Sequence, residues 1–143
     1  MTHARPEAPA GVLEAAVYVA DLDAAEAFYG GVIGLDVMRR QKPRHVFFTA
    51  GQSVVLVFNP AETVKPPSSD SLPVPPHGAT GAGHICFRVP GAALDGWADH
   101  LVAEDVEIEA DFTWPNGARS IYVRDPGDNS VEFAEPKLWG FEA

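Results

Sequence analysis

Residues 12–35, "VLEAAVYVADLDAAEAFYGGVIGL", pass from one hydrophobic period to another and so decide the fold. Over 14–19, Glu14, Ala16 and Tyr18 alternate with Ala15, Val17 and Val19, the two-residue period of a strand with unlike faces. From Leu22 the period lengthens, and Leu22, Ala25, Phe28, Tyr29 and Val32 form an apolar stripe at helical spacing. Asp21 or Asp23 suits the helix start, Glu26 stands three residues after Asp23, and Gly34 suits the stop. Three strand candidates follow: "LDVMRR", "RHVFFTA" and "SVVLVF", the last two parted at Gly51.

The same order returns after residues 59–83, a stretch too rich in Pro, Gly and Ser to sustain a helix or a central strand. "HICFRV" reads as a strand with His84, Cys86 and Arg88 on one face, and Leu94, Trp97, Leu101 and Val102 recur at helical spacing within 91–104. "VEIEADF", "RSIYVRD" and "SVEFAE" supply three more strands, with a turn at "DPGDN". Each half therefore reads β-α-β-β-β, an internal repeat of the α+β class. The expected organisation is one domain over 1–143, with a first module over 12–59, a linker over 60–82 and a second module over 83–135.

Two points put the repeats in register. Glu14 and His84 sit on the first strand of each module, and Gly51 and Gly127 precede the last strands, where Leu56 and Glu132 follow at the same offset. Three of four equivalent positions thus carry Glu, His and Glu, and the fourth carries Leu.

Composition narrows the partners. With 20 acidic against 10 basic residues the formal charge is −10, which disfavours nucleic acid and anionic membrane and favours a cationic over an anionic ligand. Cys86 stands alone, so no disulfide forms within the chain, and a cytoplasmic protein is expected. The start "MTHARPEAPAGVL" lacks the basic-then-apolar order of a signal peptide, and no apolar run approaches a membrane span.

The stretches "VADLDAAEAFYGGVIGL" (19–35), "GHICFRV" (83–89) and "YVRDPGDNSVEF" (122–133), placed on paired β-α-β-β-β modules, resemble the vicinal oxygen chelate superfamily. That group contains glyoxalase I, extradiol dioxygenases, fosfomycin-resistance thiol transferases and bleomycin-binding proteins. The resemblance spans roughly residues 12–135 and implies two modules forming a cupped, barrel-like mixed sheet around one divalent metal. Carried over by position, the ligands are Glu14, His84 and Glu132; Leu56 stands where a fourth ligand is often found and cannot coordinate. Two carboxylates and an imidazole suit Mn, Fe, Ni, Co or Zn and leave positions for a substrate's oxygens. The resemblance also implies a homodimer in which Glu14 of one subunit meets His84 and Glu132 of the other, although the sequence is equally compatible with a site within one chain.

Other residues are weighed beside these. Tyr122 and Ser120 are expected to face the same cavity as Glu132, Tyr122 as a catalytic or substrate-binding group and Ser120 and Arg88 as substrate contacts. In "RHVFF", His45 and Phe47 share a face, which makes Phe47 a hydrophobic wall and His45 a substrate contact or base, against the commoner solvent-edge histidine. Trp114 is a lid or wall candidate, His77 lies in a loop at the expected cavity mouth, and His3 and His100 read as surface residues. Glu62 falls outside the strand register and is a poor ligand candidate. Arg119 and Arg124 read as exposed ion-pair partners. Trp139 and Phe141 in "KLWGF" suggest docking or a subunit contact.

Three functions compete. The first is a metal-dependent enzyme acting on a small oxygen-rich molecule by lyase, isomerase or addition chemistry, with Glu14 or Glu132 as base. The second is a metal-free protein that binds a drug or antibiotic between Trp114, Phe47 and Tyr122. The third is an extradiol-type dioxygenase with iron in a Glu-His-Glu set.

Overall fold

The computed structural model describes residues 4–142. Each half forms a four-stranded mixed sheet. In the first module β1 (Glu14–Tyr18) runs parallel beside β4 (Ser53–Phe58), followed by β3 (His45–Ala50) and β2 (Asp36–Gln41) at the outer edge. In the second, β5 (His84–Arg88), β8 (Ser130–Ala134), β7 (Arg119–Arg124) and β6 (Ala110–Thr113) repeat the order. The two sheets form an open cup, with β1 and β5 approaching each other at the junction. The sheets do not close into a barrel.

The register confirms the repeat. Glu14 lies opposite Val54 and Ala16 opposite Leu56, just as His84 lies opposite Ser130 and Cys86 opposite Glu132. On the third strands Phe47 faces Leu56 and Tyr122 faces Glu132, so these pairs are also equivalent.

The helix after β1 starts where Asp21 accepts a hydrogen bond from the Ala24 amide at 3.0 Å. It is α-helical only over α1 (Leu22–Glu26) and then widens to a π-helix over Ala27–Val32. The wider turn buries the consecutive side chains Phe28 and Tyr29, and the chain leaves at Gly34, whose φ of 90° suits a residue without Cβ. In the second module a short 3₁₀ turn leads into α3 (Leu94–Ala103), which buries Leu94 and Leu101.

Three expectations need correction. The 106–109 part of "VEIEADF" is irregular, because strand pairing to β7 begins only at Ala110. The linker does hold one helical turn, α2 (Pro60–Thr63), started by the Asn59 side chain, which accepts from the Ala61 amide, and by Pro60 at its first position. His100 is half-buried rather than at the surface, and its Nε2–H donates to the Val32 carbonyl at 2.7 Å, tying α3 to the first module. His3 lies outside the described residues. Arg119 pairs with Asp111 and Asp95, and Arg124 with Glu109, as expected.

One core joins the modules. Val17, Val19, Phe48 and Val57 from the first sheet meet Ile121, Val123, Val131 and Phe133 from the second through the helices. The Tyr29 hydroxyl, fully buried, donates to Asp125 Oδ2 at 2.6 Å across 96 residues of sequence. Asp125 Oδ1 also accepts from the Gly127 and Asn129 amides, and Asn129 Nδ2 donates to the Tyr18 carbonyl. The "DPGDN" turn thereby locks β8 to the end of β1. Gly127 is required there, since a Cβ would lie 2.9 Å from the Tyr18 carbonyl oxygen. With the helix-bearing faces packed together, the opposite faces of both sheets are left for ligands.

Candidate functional site

On the open face of the second module, pairing places His84, Glu132, Tyr122 and Ser120 side by side. His84 Nδ1–H donates to the Ser130 carbonyl at 3.1 Å, which fixes the proton on that nitrogen and leaves the Nε2 lone pair free in the neutral ring. Nε2 stands 3.3 Å from Glu132 Oε1. Two acceptors at that distance need a proton or a cation between them.

Glu132 itself is buried and held from behind. Its Oε2 accepts from Ser120 Oγ at 2.6 Å, and Ser120 Oγ accepts from Trp114 Nε1–H at 2.8 Å. Ser120 is 0% exposed, so this relay is cut off from solvent. One carboxylate oxygen is therefore tied back and the other is presented toward His84. Desolvation first, and the Glu132 charge second, push the Tyr122 hydroxyl up to about 12. Tyr122 stays a neutral donor at physiological pH. The same two causes push the Cys86 thiol up to about 12, which removes it as a thiolate nucleophile. Arg88 shares this face, but its guanidinium donates to the Glu142 carbonyl at 2.7 Å.

The first module carries a separate cavity of about 930 Å³, walled by Tyr18, Phe47, Phe58 and His77 and bordered by Glu14. His45 lines it and is 5% exposed, correcting the solvent-edge expectation. Its ring stacks on Phe47 with centroids 3.9 Å apart, and Nδ1 accepts from the Arg44 guanidinium at 2.8 Å. Because arginine can only donate, the His45 proton sits on Nε2. Burial, then the positive charges of Arg44 and Arg39, lower its pKa to about 4. His45 is thus a neutral donor and not a base. Its Nε2 has no partner, at a cost of about 1–3 kcal/mol for a buried orphan. His77 closes the wall through a 2.7 Å hydrogen bond to the Tyr18 hydroxyl, and Glu62 pairs with Lys65.

The structure brings His84, Glu132, Tyr122, Ser120 and Trp114 together and leaves Glu14, Phe47 and His45 on the other module. Among the described residues of one chain, no three His, Cys, Asp or Glu side chains stand close enough to hold a metal ion. The proposed aromatic clamp of Trp114, Phe47 and Tyr122 is divided in the same way. For a divalent ion, one chain brings together two of the three expected ligands: His84 Nε2 and Glu132 Oε1 lie near the roughly 3 Å separation of adjacent donors bonded at about 2.1 Å. The Ser120–Trp114 support behind Glu132 matches the second layer such ligands need. Sequence reading missed Arg39, Arg44 and Thr63 as cavity residues, because their facing depends on a strand irregularity and a loop turn.

The model of the Glyoxalase/Bleomycin resistance protein/Dioxygenase superfamily matches residues 11–133. A crystal structure of lactoylglutathione lyase from Agrobacterium tumefaciens is 44% identical, with 94% of this chain and 100% of that one covered and a TM-score of 0.88. A glyoxalase/dioxygenase from Nostoc punctiforme (21% identical, 93% and 97% covered, TM-score 0.66) shares the fold. So does a putative glyoxalase family protein from Bacillus anthracis (19% identical, 92% and 98% covered, TM-score 0.69). No match is found among curated proteins.

Proposed function

Because the chain belongs to the glyoxalase/bleomycin resistance protein/dioxygenase superfamily, we propose that it is a divalent-metal-dependent enzyme acting on a small oxygen-rich molecule by lyase or isomerase chemistry. The observation that carries this reading is the pair of donors His84 Nε2 and Glu132 Oε1, held 3.3 Å apart, each fixed from behind by a hydrogen bond. Members of the family typically bind a divalent metal. Since one chain brings together only two of the three ligands, Glu14 from a second copy completes the set in a homodimer, and Leu56 leaves a position open for substrate oxygens.

A bound divalent ion would polarise a substrate carbonyl and stabilise the enolate formed beside it. The chain's own groups do the rest. Glu132 keeps Oε2 on Ser120 and, when Oε1 is not coordinating, offers that oxygen as the acceptor for a substrate C–H proton, with Glu14 as the second candidate for that role. Tyr122, neutral and stacked 5.8 Å from Phe112, donates its phenolic proton to a substrate oxygen. Trp114 covers the relay and keeps water from it.

The test is metal content by mass spectrometry of protein purified without chelator. About one ion per chain, lost in His84→Ala, supports the reading. Interconversion of lactoylglutathione with glutathione and methylglyoxal is the first activity to assay, given the 44% identical relative. Equal loss of metal and activity in Glu14→Gln and Glu132→Gln would remove the base assignment.

A second reading, a metal-free binding protein, is favoured by the divided ligand set and the aromatic wall of the first cavity. It requires ligand affinity that neither a chelator nor His84→Ala changes.

A further inference from the structure

Five of the chain's seven arginines, those in the first module and on β7, divide into two groups. Arg40, Arg119 and Arg124 each meet a carboxylate at 2.6–2.8 Å, the ordinary outcome in a chain with twice as many acidic as basic residues. Arg39 and Arg44 do not. Among the described residues the Arg39 side chain has no hydrogen bond or ion pair, and the Arg44 guanidinium donates only to His45 Nδ1 and lies 5.3 Å over the Phe58 ring. Both line the cavity of the first module.

Arg39 reaches that face through a break in the ladder. Val37 pairs with Phe48 and Arg39 with Phe47, so Met38 is an extra residue in β2. The bulge sends Arg39 to the open face beside Phe47, while Arg40, opposite the core residue Val46, turns back to form a two-pronged pair with Glu26 at 2.7 and 2.8 Å. Unbroken alternation would reverse the two.

A second observation points to the same place. The only buried side-chain polar atoms without partners among the described residues are His45 Nε2 and Thr63 Oγ1, and both residues line this cavity. Of the acidic groups in the lining, Glu62 is taken by Lys65, which leaves Glu14 against two arginines. Despite the −10 net charge, the lining sets Arg39, Arg44 and Lys65 against only Glu14 and Glu62, and two of its buried polar atoms lack partners.

We propose that the first-module cavity anchors an oxyanion of the ligand, a carboxylate or a phosphate, on Arg39 and Arg44, with His45 Nε2–H and Thr63 Oγ1 as the donors nearest its oxygens and Phe47 and Phe58 against its apolar body. The arginines suit this because their planar guanidinium forks match carboxylate and phosphate geometry. The inference extends the proposed function by giving the ligand its charge, and reverses the preference for a cation drawn from net charge. It does not require a bound metal.

The test is calorimetry on the full chain after chelator treatment, with 3-phenylpropionate, phenyl phosphate and the neutral 3-phenylpropionamide as probes. At least one anion is expected to bind tenfold or more tightly than the amide; which anion does so identifies the group as carboxylate or phosphate. Arg39→Gln is expected to weaken that anion about tenfold, and the Arg39→Gln/Arg44→Gln pair to abolish its advantage. Arg40→Gln removes the same charge from the opposite face of β2 and should leave affinity unchanged, provided each variant melts as the parent does. Equal affinity for anion and amide, an equal effect of Arg40→Gln, or no anion binding at millimolar concentration would overturn the proposal. Because metal is absent throughout, these results are independent of whether His84 and Glu132 coordinate an ion.

Discussion

Ser120→Ala removes one buried oxygen that serves two partners. In the parent, Ser120 Oγ donates to Glu132 Oε2 at 2.6 Å and accepts from Trp114 Nε1–H at 2.8 Å, with the serine 0% exposed. A hydrogen bond to a charged group contributes about 1.5–3 kcal/mol, and a stranded indole donor adds roughly 1 kcal/mol. Trp114 is only partly buried and recovers some of that from water, so the total is about 3 kcal/mol. For a chain of 143 residues this is a fall of roughly 10 °C in Tm. Trp114→Phe should cost only about 1 kcal/mol, since it removes a donor and leaves the serine–glutamate bond in place. The double variant should cost less than the sum, because the stranded indole is gone. Differential scanning calorimetry of the four proteins measures this. A Ser120→Ala Tm within 2 °C of the parent, or strict additivity, would refute the relay. If the proposed metal site is correct, the same change should also weaken metal binding about 10-fold to 100-fold, as loss of a group behind a ligand does.

Three further outcomes are expected. Tyr29→Phe should cost about 2 kcal/mol, because it deletes one donor to Asp125 while the Gly127 and Asn129 amides and Asn129 Nδ2 remain; chemical denaturation reads it, and no change would mean the intermodule bond is idle. Gly127→Ala should destabilise by about 1–3 kcal/mol through its close approach to the Tyr18 carbonyl, whereas Gly31→Ala, with open space around it, should be neutral or stabilising in the same assay. For His45 the folded pKa of about 4 lies below the ordinary value of 6.5, so the unfolded chain takes up the proton first as pH falls. Its contribution to stability should be full above pH 6.5 and decline as pH falls toward 4; His45→Phe should flatten that limb, and an NMR titration midpoint above 6 would contradict the assignment.

Much of the fold was legible because it is written twice. Alternation over 14–19 and 84–89, the Asp21 start and the glycines before β4 and β8 are local signals, and the pairing of Glu14 with His84 and Leu56 with Glu132 follows from counting along equivalent strands. The elements misread are those where tertiary contact overrides local pattern. Residues 106–108 alternate like a strand but join no ladder, the first backbone bond to β7 coming from the Glu109 amide, and the π-widened turn after α1 is set by the need to bury both Phe28 and Tyr29. In the candidate site, which residues share a face was readable from the period of two, but two things were not. The Trp114–Ser120–Glu132 relay joins a loop to two strands, and the facing of Arg39 depends on one extra residue that leaves no mark in composition. Net charge says least about the first cavity, since of 20 acidic residues only Glu14 and Glu62 line it.

The extra residue at Met38 also bears on how the protein stays in solution. β2 is the free edge of its sheet, and an unbroken edge six residues long would offer its unpaired amides and carbonyls to another chain. The bulge interrupts that row and sharpens its twist, and at the other free edge β6 is only four residues long. Deleting Met38 would leave Val37 toward the core and Arg39 toward the cavity, so ligand preference should survive, while the straightened edge becomes a template for aggregation on heating. The residue that contributes no contact to the pocket would then be the one that sets how concentrated the protein can be kept.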